Sequence, residues 1–139
     1  TDAGIVSTTA ATAVGVARTL LAHLAQAGAQ VIVAELGDGI LGEYGVAQIL
    51  ADPELRRRMS VLVLCANDPV GAWGAQRLLS DRFGLRIDAV SGPTTDNAVG
   101  TRYVREQLGL AAFNARTQGA ELGNFVAERV AELAGGARP

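Results

Sequence analysis

Short apolar runs alternate along this chain with segments of helical length, and this alternation constrains the fold more than any other feature. The apolar runs lie at residues 31–35, 61–66, 85–90 and 111–115, with a shorter one at 5–7. The helical segments lie at about 10–27, 43–59, 70–83, 97–108 and 118–134. Strand–helix–strand units with short connections imply parallel strands joined by right-handed crossovers. The sequence therefore predicts a three-layer, Rossmann-like α/β sandwich with a parallel sheet of four to five strands.

Length and composition exclude several classes of protein. The chain has 139 residues and a formal net charge of −2, which fits one α/β domain over residues 1–139 and does not fit an electrostatic binder of nucleic acid. One Cys cannot form a disulfide framework, and no apolar stretch is long enough to cross a membrane. We expect a cytoplasmic domain that binds a small molecule. The first residue is Thr1 rather than Met, which predicts a chain that was processed, cut or built as a fragment. As its protein partner we expect a second copy in a homo-oligomer or the remainder of a larger chain.

Two residue types limit the chemistry. All 12 basic residues are Arg, so the chain lacks the lysine that Schiff-base chemistry and a complete Walker A loop require. His23 and Cys65 are far apart in sequence and do not form a zinc motif. Cys65 falls in a continuously apolar run, which predicts a buried, inert thiol in a central strand.

Local signals predict where the helices begin. Asp52 precedes Pro53 and Asp68 precedes Pro69, which is the combination of N-cap residue and first-turn proline that opens a helix. Asp96 or Asn97 can cap the helix that follows the third apolar run. These signals divide the chain into its strand–helix units.

Polar residues and glycines follow the apolar runs, whereas the opposite connections are plain. In a parallel sheet, ligands bind outside the carboxyl ends of the strands. The segments at 35–45, 67–74, 91–97 and 114–118 are therefore expected to share one edge of the sheet and to form the binding site. The candidate residues are Glu35, Gly37, Asp38, Gly39, Gly42, Asn67, Asp68, Ser91, Thr94, Thr95, Asp96, Asn114 and Arg116.

The first of these loops is rich in glycine and contains two acids. Glycines at 37, 39 and 42 permit close approach of a ligand to the backbone. Glu35 and Asp38 are suited to hold Mg²⁺ or to accept hydrogen bonds from ligand hydroxyls, and a turn capped by Asp38 is the alternative interpretation. Glu35, Asp38 and Arg116 are the candidate catalytic residues, and Arg116 would act as an anion clamp.

The third loop offers an anion site. Ser91, Thr94, Thr95 and the helix start at Asp96 suit a phosphate or carboxylate, although ordinary helix capping explains the same residues. Asn67 and Asp68, near Trp73, could contact a base or ring, but Trp73 is more typical of a core residue. The paired Arg102 and Arg105 are typical of a solvated helix face.

Residues 31–39 (VIVAELGDG), 61–66 and 87–90 resemble the second half of dethiobiotin-synthetase-like P-loop enzymes. In that family a strand ends in a Glu-Gly-x-Gly-Gly type loop near the metal and phosphates, and Glu35, Gly37 and Gly39 match it. Leu36 and Asp38 depart from the pattern, and Val16 stands where the P-loop lysine would fall. The resemblance implies either a degenerate nucleotide fold without the Walker lysine or a fragment that lacks the true P-loop, with a nucleotide or phosphate ligand.

Three functions stay open at this point. The first is a binding or catalytic domain for a nucleotide or a phosphorylated or carboxylated metabolite, with Mg²⁺ as a candidate cofactor. The second is an NAD(P)-binding module, because Gly37, Gly39 and Gly42 match G-x-G-x-x-G and Asp68 follows at a distance. The third is a non-catalytic assembly domain of a larger enzyme, suggested by the Ala- and Gly-rich helices.

Overall fold

A computed structural model describes residues 7–136 of the chain. The chain divides into two compact units, Thr1–Arg58 and Met59–Pro139, which are described separately below. The strand predicted at 5–7 falls mostly outside the described residues. Only Ser7 is described, and it is not in a strand. The expectation of a single domain stays a prediction.

Three helices make up the regular structure described in the first unit. They are α1 (Ala13–Gln26), α2 (Val46–Ala51) and α3 (Pro53–Arg58). The break between α2 and α3 falls at the predicted pair of Asp52 and Pro53. The Asp52 Oδ1 atom accepts hydrogen bonds from the backbone N–H groups of Glu54 (3.1 Å) and Leu55 (3.0 Å). The predicted start of a helix at Pro53 is therefore confirmed, and the predicted helix at 43–59 is two short helices.

The same carboxylate links α1 to this corner. The guanidinium of Arg18 on α1 lies 2.7 Å from Asp52 Oδ2 and 3.3 Å from a Glu54 oxygen. The hydrogen bond from the Leu55 N–H, together with Arg18, lowers the pKa of Asp52 below its ordinary value. The hydrogen bond to Asp52 likewise raises the pKa of Arg18. A surface carboxylate thus holds three helices together.

The strand predicted at 31–35 is wrong. These residues have no regular secondary structure, and the Val33 side chain is 92% exposed. A strand is stable only when its backbone groups pair with a neighbour, and residues 7–58 contain no other strand that could provide one. Apolar composition alone does not make this segment a strand.

The second unit contains a three-stranded parallel sheet in the order β1-β2-β3. The strands are β1 (Val63–Cys65), β2 (Ala89–Ser91) and β3 (Ala111–Ala112). Val63 pairs with Ala89, which pairs in turn with Ala111. β1 and β3 lie within predicted apolar runs, β2 overlaps the run at 85–90 and extends to Ser91, and all three strands are shorter than predicted. The parallel α/β character is confirmed, and the described residues contain three strands rather than four or five.

Helices connect and follow these strands. They are α4 (Pro69–Leu78), which continues into a π-helical turn (Leu79–Phe83), α5 (Ala98–Glu106), which follows a 3₁₀ turn (Pro93–Thr95), and α6 (Gly119–Ala134). Asp68 and Asn97 cap α4 and α5 by accepting the N–H groups of Gly71 (2.7 Å) and Gly100 (2.9 Å). These caps confirm the predicted helix starts. Within residues 7–136, no helix combines the length and the apolar character needed to cross a membrane.

The core of the second unit is centred on β2, all of whose residues are buried. Leu79, Val90 and Val104 are among its fully buried side chains. Two predictions about burial are wrong. Cys65 is exposed because β1 is an edge strand rather than a central one, and the side chain of Trp73 on α4 is 48% exposed.

Candidate functional site

Three of the four predicted loops share one edge of the sheet. The segments 67–74, 91–97 and 114–118 follow β1, β2 and β3, and parallel strands place their carboxyl ends together. The fourth segment, 35–45, belongs to the first unit and follows no strand. The candidate site described here is therefore built from the three loops of the second unit.

The loop after β2 lies directly on the end of β1. Gly92 has a φ angle of +87°, and a Cβ atom at this position would come within 3.0 Å of backbone atoms of Ala66. Thr94 then donates its backbone N–H to the Ala66 carbonyl at 3.0 Å. Only glycine allows both the backbone conformation and the close approach. The start of α5 is held over the sheet edge as a result.

Asn114 ties the loop after β3 to the loop after β2. Its Nδ2 donates to Asp96 Oδ1 (2.9 Å) and to the Thr95 carbonyl (3.3 Å). Its Oδ1 accepts the backbone N–H groups of Arg116 (3.0 Å) and Thr117 (3.3 Å). Both ends of the amide are satisfied by protein groups. Asn114 therefore positions the two loops.

A cleft of about 500 Å³ opens between these loops and α5. All of its lining residues except Ala98 have polar or charged side chains, and the full set is Thr95, Asp96, Asn97, Ala98, Thr101, Arg102, Arg105, Glu106, Asn114, Thr117 and Gln118. The four members at 98, 101, 102 and 105 lie on one face of α5 because of their helical spacing. The cleft is thus bounded by one helix face and two fixed loops.

Arg102 is the cation of this cleft that no described residue neutralises. Its neighbour Arg105 donates to the Ala112 carbonyl at 2.7 Å and is held in place by that bond. Arg102 has no ion pair or hydrogen bond from its side chain to any residue between 7 and 136, and its side chain lines the cleft. A guanidinium with free donors is suited to bind a carboxylate or phosphate.

A smaller cleft of about 150 Å³ lies beside the first. It is lined by Ser91, Gly92, Pro93, Asp96, Asn114, Ala115 and Arg116. Ser91 is 1% exposed, and its hydroxyl oxygen accepts the backbone N–H of Ala115 at 3.3 Å. The Arg116 side chain makes no hydrogen bond or ion pair with the described part of the chain. This cleft also combines a free cation with a hydroxyl.

The predicted residues of the second unit fall into two groups. Ser91, Thr95, Asp96, Asn114 and Arg116 line one or both clefts. The rest do not. Thr94 is buried near Gly100, its hydroxyl without a partner within the described residues, whereas Asp68 caps α4 and Asn67 is exposed. Thr95 lines the larger cleft, but its hydroxyl donates to the carbonyls of Gly92 (2.8 Å) and Phe113 (3.2 Å).

In the first unit, the glycine-rich loop is held by Asp38. Its Oδ2 accepts the backbone N–H of Tyr44 at 3.0 Å, and a Cβ atom at Gly42 would collide with its carboxylate. Glu35 is exposed, and residues 7–136 contain no group of three or more His, Cys, Asp or Glu side chains placed to hold a metal ion. The arrangement supports the capped-turn interpretation of Asp38. The metal and catalytic roles of Glu35 and Asp38 stay predictions.

The G-x-G-x-x-G match at Gly37, Gly39 and Gly42 lacks the context that gives this motif its meaning. A dinucleotide fingerprint follows a strand, so that the pyrophosphate meets the start of the next helix. Residues 31–36 are not a strand. NAD(P) binding at this loop therefore has no structural observation in its favour.

Sequence reasoning did not select Arg102, Thr101, Thr117 or Gln118, although all four line the larger cleft. A signal is present in the helical spacing of Thr101, Arg102 and Arg105, which are polar residues on one face of α5. Arg102 and Arg105 were interpreted as a solvated face. Both arginines line the cleft, but only Arg105 donates a hydrogen bond to a backbone carbonyl, that of Ala112.

The chain was also compared with known proteins. No family model, curated protein or solved structure matched it. The function is therefore argued from the geometry and chemistry of the two clefts.

Proposed function

We propose that the second unit binds a small anionic metabolite, phosphorylated or carboxylated and with nucleotides included, at the C-terminal edge of its parallel sheet. The observation that carries this proposal is the unpaired guanidinium of Arg102 in a polar cleft of about 500 Å³. The location agrees with the general placement of ligands in parallel α/β sheets. Arg102 would supply the charge-assisted hydrogen bonds to the anion.

The remaining lining supports a ligand with oxygen atoms. The side-chain oxygens of Asn97 and Gln118 accept hydrogen bonds from the protein backbone. Asn97 Oδ1 caps α5, and Gln118 Oε1 accepts the backbone N–H of Asn114 at 3.1 Å. Their NH₂ groups have no partner in the described part of the chain and lie in the cleft lining with the Thr117 hydroxyl. The free groups of these three side chains are hydrogen-bond donors, or in Thr117 both donor and acceptor. Donors without partners favour binding of phosphate, carboxylate or carbonyl oxygen.

The proposal also includes the predicted number of strands in the sheet. A Rossmann-like sheet of four to five strands is supported by the outer edge of β1, where the backbone groups of Val63 and Cys65 point away from β2 and have no described partner. At the outer edge of β3, the Ala112 carbonyl points away from β2 and accepts a hydrogen bond from the Arg105 guanidinium. The resemblance to dethiobiotin-synthetase-like enzymes, Mg²⁺ dependence, the oligomeric state and the cytoplasmic location stay predictions.

Calorimetric titration of the full chain with inorganic phosphate tests the proposal. Hydrogen bonds to charged groups contribute about 1.5 to 3 kcal/mol, so we expect Arg102→Ala to weaken phosphate binding about tenfold or more. Arg77→Ala is the matched control, because Arg77 is an exposed arginine on α4 that lines neither cleft.

Equal phosphate affinity in the wild-type chain and in Arg102→Ala would contradict the proposal. So would an equal loss in Arg102→Ala and Arg77→Ala, since this would mean a diffuse effect of net charge. Thermal denaturation of each variant checks that the fold is intact.

A further inference from the structure

The two clefts share part of their lining. Asp96 and Asn114 line both, whereas Arg102 belongs only to the larger cleft and Arg116 only to the smaller one. The pair formed by Asp96 and Asn114 therefore lies at the boundary between two sites, each of which has an unpaired arginine.

This boundary is rigid and carries one free acceptor. Asn114 is fully hydrogen-bonded, and its Nδ2 holds Asp96 Oδ1 at 2.9 Å. The backbone N–H of Asp96 donates to the Pro93 carbonyl at 3.0 Å. The Asp96 side chain is exposed at this point, and its second carboxylate oxygen has no hydrogen bond to any residue of the described range 7–136. A negatively charged oxygen at this position repels an anionic group and can accept a hydrogen bond from a hydroxyl or an amine of a ligand.

From this arrangement we infer that the natural ligand is anionic at both ends and carries a hydroxyl or amine between them. One anionic group binds Arg102, the other binds Arg116, and the central donor binds Asp96. The inference rests on the proposed function, because Arg102 holds one of the two anionic groups. In the smaller cleft the Ser91 hydroxyl lies in the same lining as Arg116, and its oxygen is held by a hydrogen bond from the Ala115 N–H. Asp96 is thus the specificity-determining residue, since it favours ligands with a central donor.

Titration of the full chain with α,ω-alkane bisphosphates of three to six carbons tests the span. We expect one length to bind at least tenfold more tightly than inorganic phosphate. Arg116→Ala should remove this gain, whereas Arg77→Ala, which changes an exposed arginine outside both clefts, should keep it. If no bisphosphate gains over inorganic phosphate, while Arg102→Ala still weakens phosphate binding, the inference fails and the proposed function stands. If inorganic phosphate does not bind to the wild-type chain at all, both fail.

A second comparison tests Asp96. The bisphosphate of best length is compared with its counterpart that carries one central hydroxyl. We expect the wild-type chain to prefer the hydroxylated ligand about fivefold or more, and Asp96→Ala to lose this preference. Glu106→Ala is the matched control, because Glu106 is an acid that lines only the larger cleft. A preference that persists in Asp96→Ala, or that disappears equally in Glu106→Ala, overturns the role of Asp96.

Discussion

In residues 31–45 the backbone forms no strand and apolar side chains are exposed, whereas residues 85–97 contain β2 and a buried polar turn. Val33 is 92% exposed in the first region, and Val90 is fully buried in the second. Both regions consist of a short apolar run followed by glycine and polar residues. The second region has a parallel neighbour on each side, at β1 and β3, and the first has none within residues 7–58, the described part of its own unit.

The difference shows what turns such a sequence into a binding site. Backbone pairing on both sides fixes β2, and the fixed strand end in turn holds Gly92, Thr95 and Asp96 over the sheet edge. In the first region the restraints are single hydrogen bonds, such as those from the Tyr44 N–H to Asp38 and from the Thr8 hydroxyl to the Tyr44 carbonyl, and no strand pairing within residues 7–58 fixes the backbone. Three experiments test whether the two units are each held together in these different ways.

The largest effect is expected where α5 approaches the turn after β2. A Cβ atom at Gly100 would collide with the Thr94 carbonyl oxygen, which is backbone and cannot move aside easily. Overpacking costs about 1 to 3 kcal/mol, and we expect Gly100→Ala to lower the free energy of unfolding by an amount in the upper part of this range. Urea denaturation measures it.

Gly74→Ala on α4 is the matched control, since nothing lies within 4 Å of a Cβ atom there. Replacing a helical glycine by alanine at an open position should stabilise the chain by about 0.5 to 1 kcal/mol. Opposite signs for the two variants support the close packing of the second region. A neutral Gly100→Ala would mean that α5 is loosely held.

The second effect concerns the connection between loops. Asn114→Ala removes four side-chain hydrogen bonds, and we expect the free energy of unfolding to fall by about 1 to 2 kcal/mol. Phosphate binding at the Arg102 cleft should weaken as well, because the cleft wall loses its restraint.

Asn67→Ala is the comparison variant, because Asn67 is exposed at the same edge and lines neither cleft. Its unfolding free energy should stay within about 0.5 kcal/mol of the wild-type value. Similar losses in the two variants would mean that Asn114 has no special role in joining the loops.

The smallest effect belongs to the first unit and depends on pH. The Leu55 N–H and Arg18 lower the pKa of Asp52 in the folded chain, so the ionised carboxylate stabilises the fold at pH values above its unfolded pKa, about 3.9. This stabilisation is lost as the pH falls below that value and through the lower folded pKa. NMR titration of the Asp52 carboxyl carbon should show a midpoint below that of an ordinary aspartate.

Arg18→Ala should raise this midpoint only part of the way, because the Leu55 N–H is the larger cause of the shift. Thermal unfolding of Asp52→Asn should depend less on pH in the same acidic range. A midpoint of Asp52 at or above the ordinary value would show that this corner of the first unit is not held as described.

Much of the second unit could be predicted from sequence, and the cleft could not. The runs at 61–66 and 111–115 each contain a strand, and the run at 85–90 contains two of the three residues of β2. Ser91, Asp96, Asn114 and Arg116 lie near the strand ends, as the sequence predicts. Arg102 was missed because its role depends on which of two neighbouring arginines finds a carbonyl partner. Arg105 reaches Ala112 and Arg102 does not, and this difference arises only once α5 packs beside β3.

The starts of α3, α4 and α5 follow from the sequence alone. Asp52, Asp68 and Asn97 each cap a backbone N–H no more than three residues away, so the information needed is contained in one short segment. Strand formation and the clefts depend on partners far along the chain. An apolar run becomes a strand only if another segment pairs with its backbone, and a cationic side chain in a cleft is free to bind a ligand only if distant groups leave it unpaired. Packing decides both outcomes, which is why residues 31–35 and Arg102 differ from their local signals.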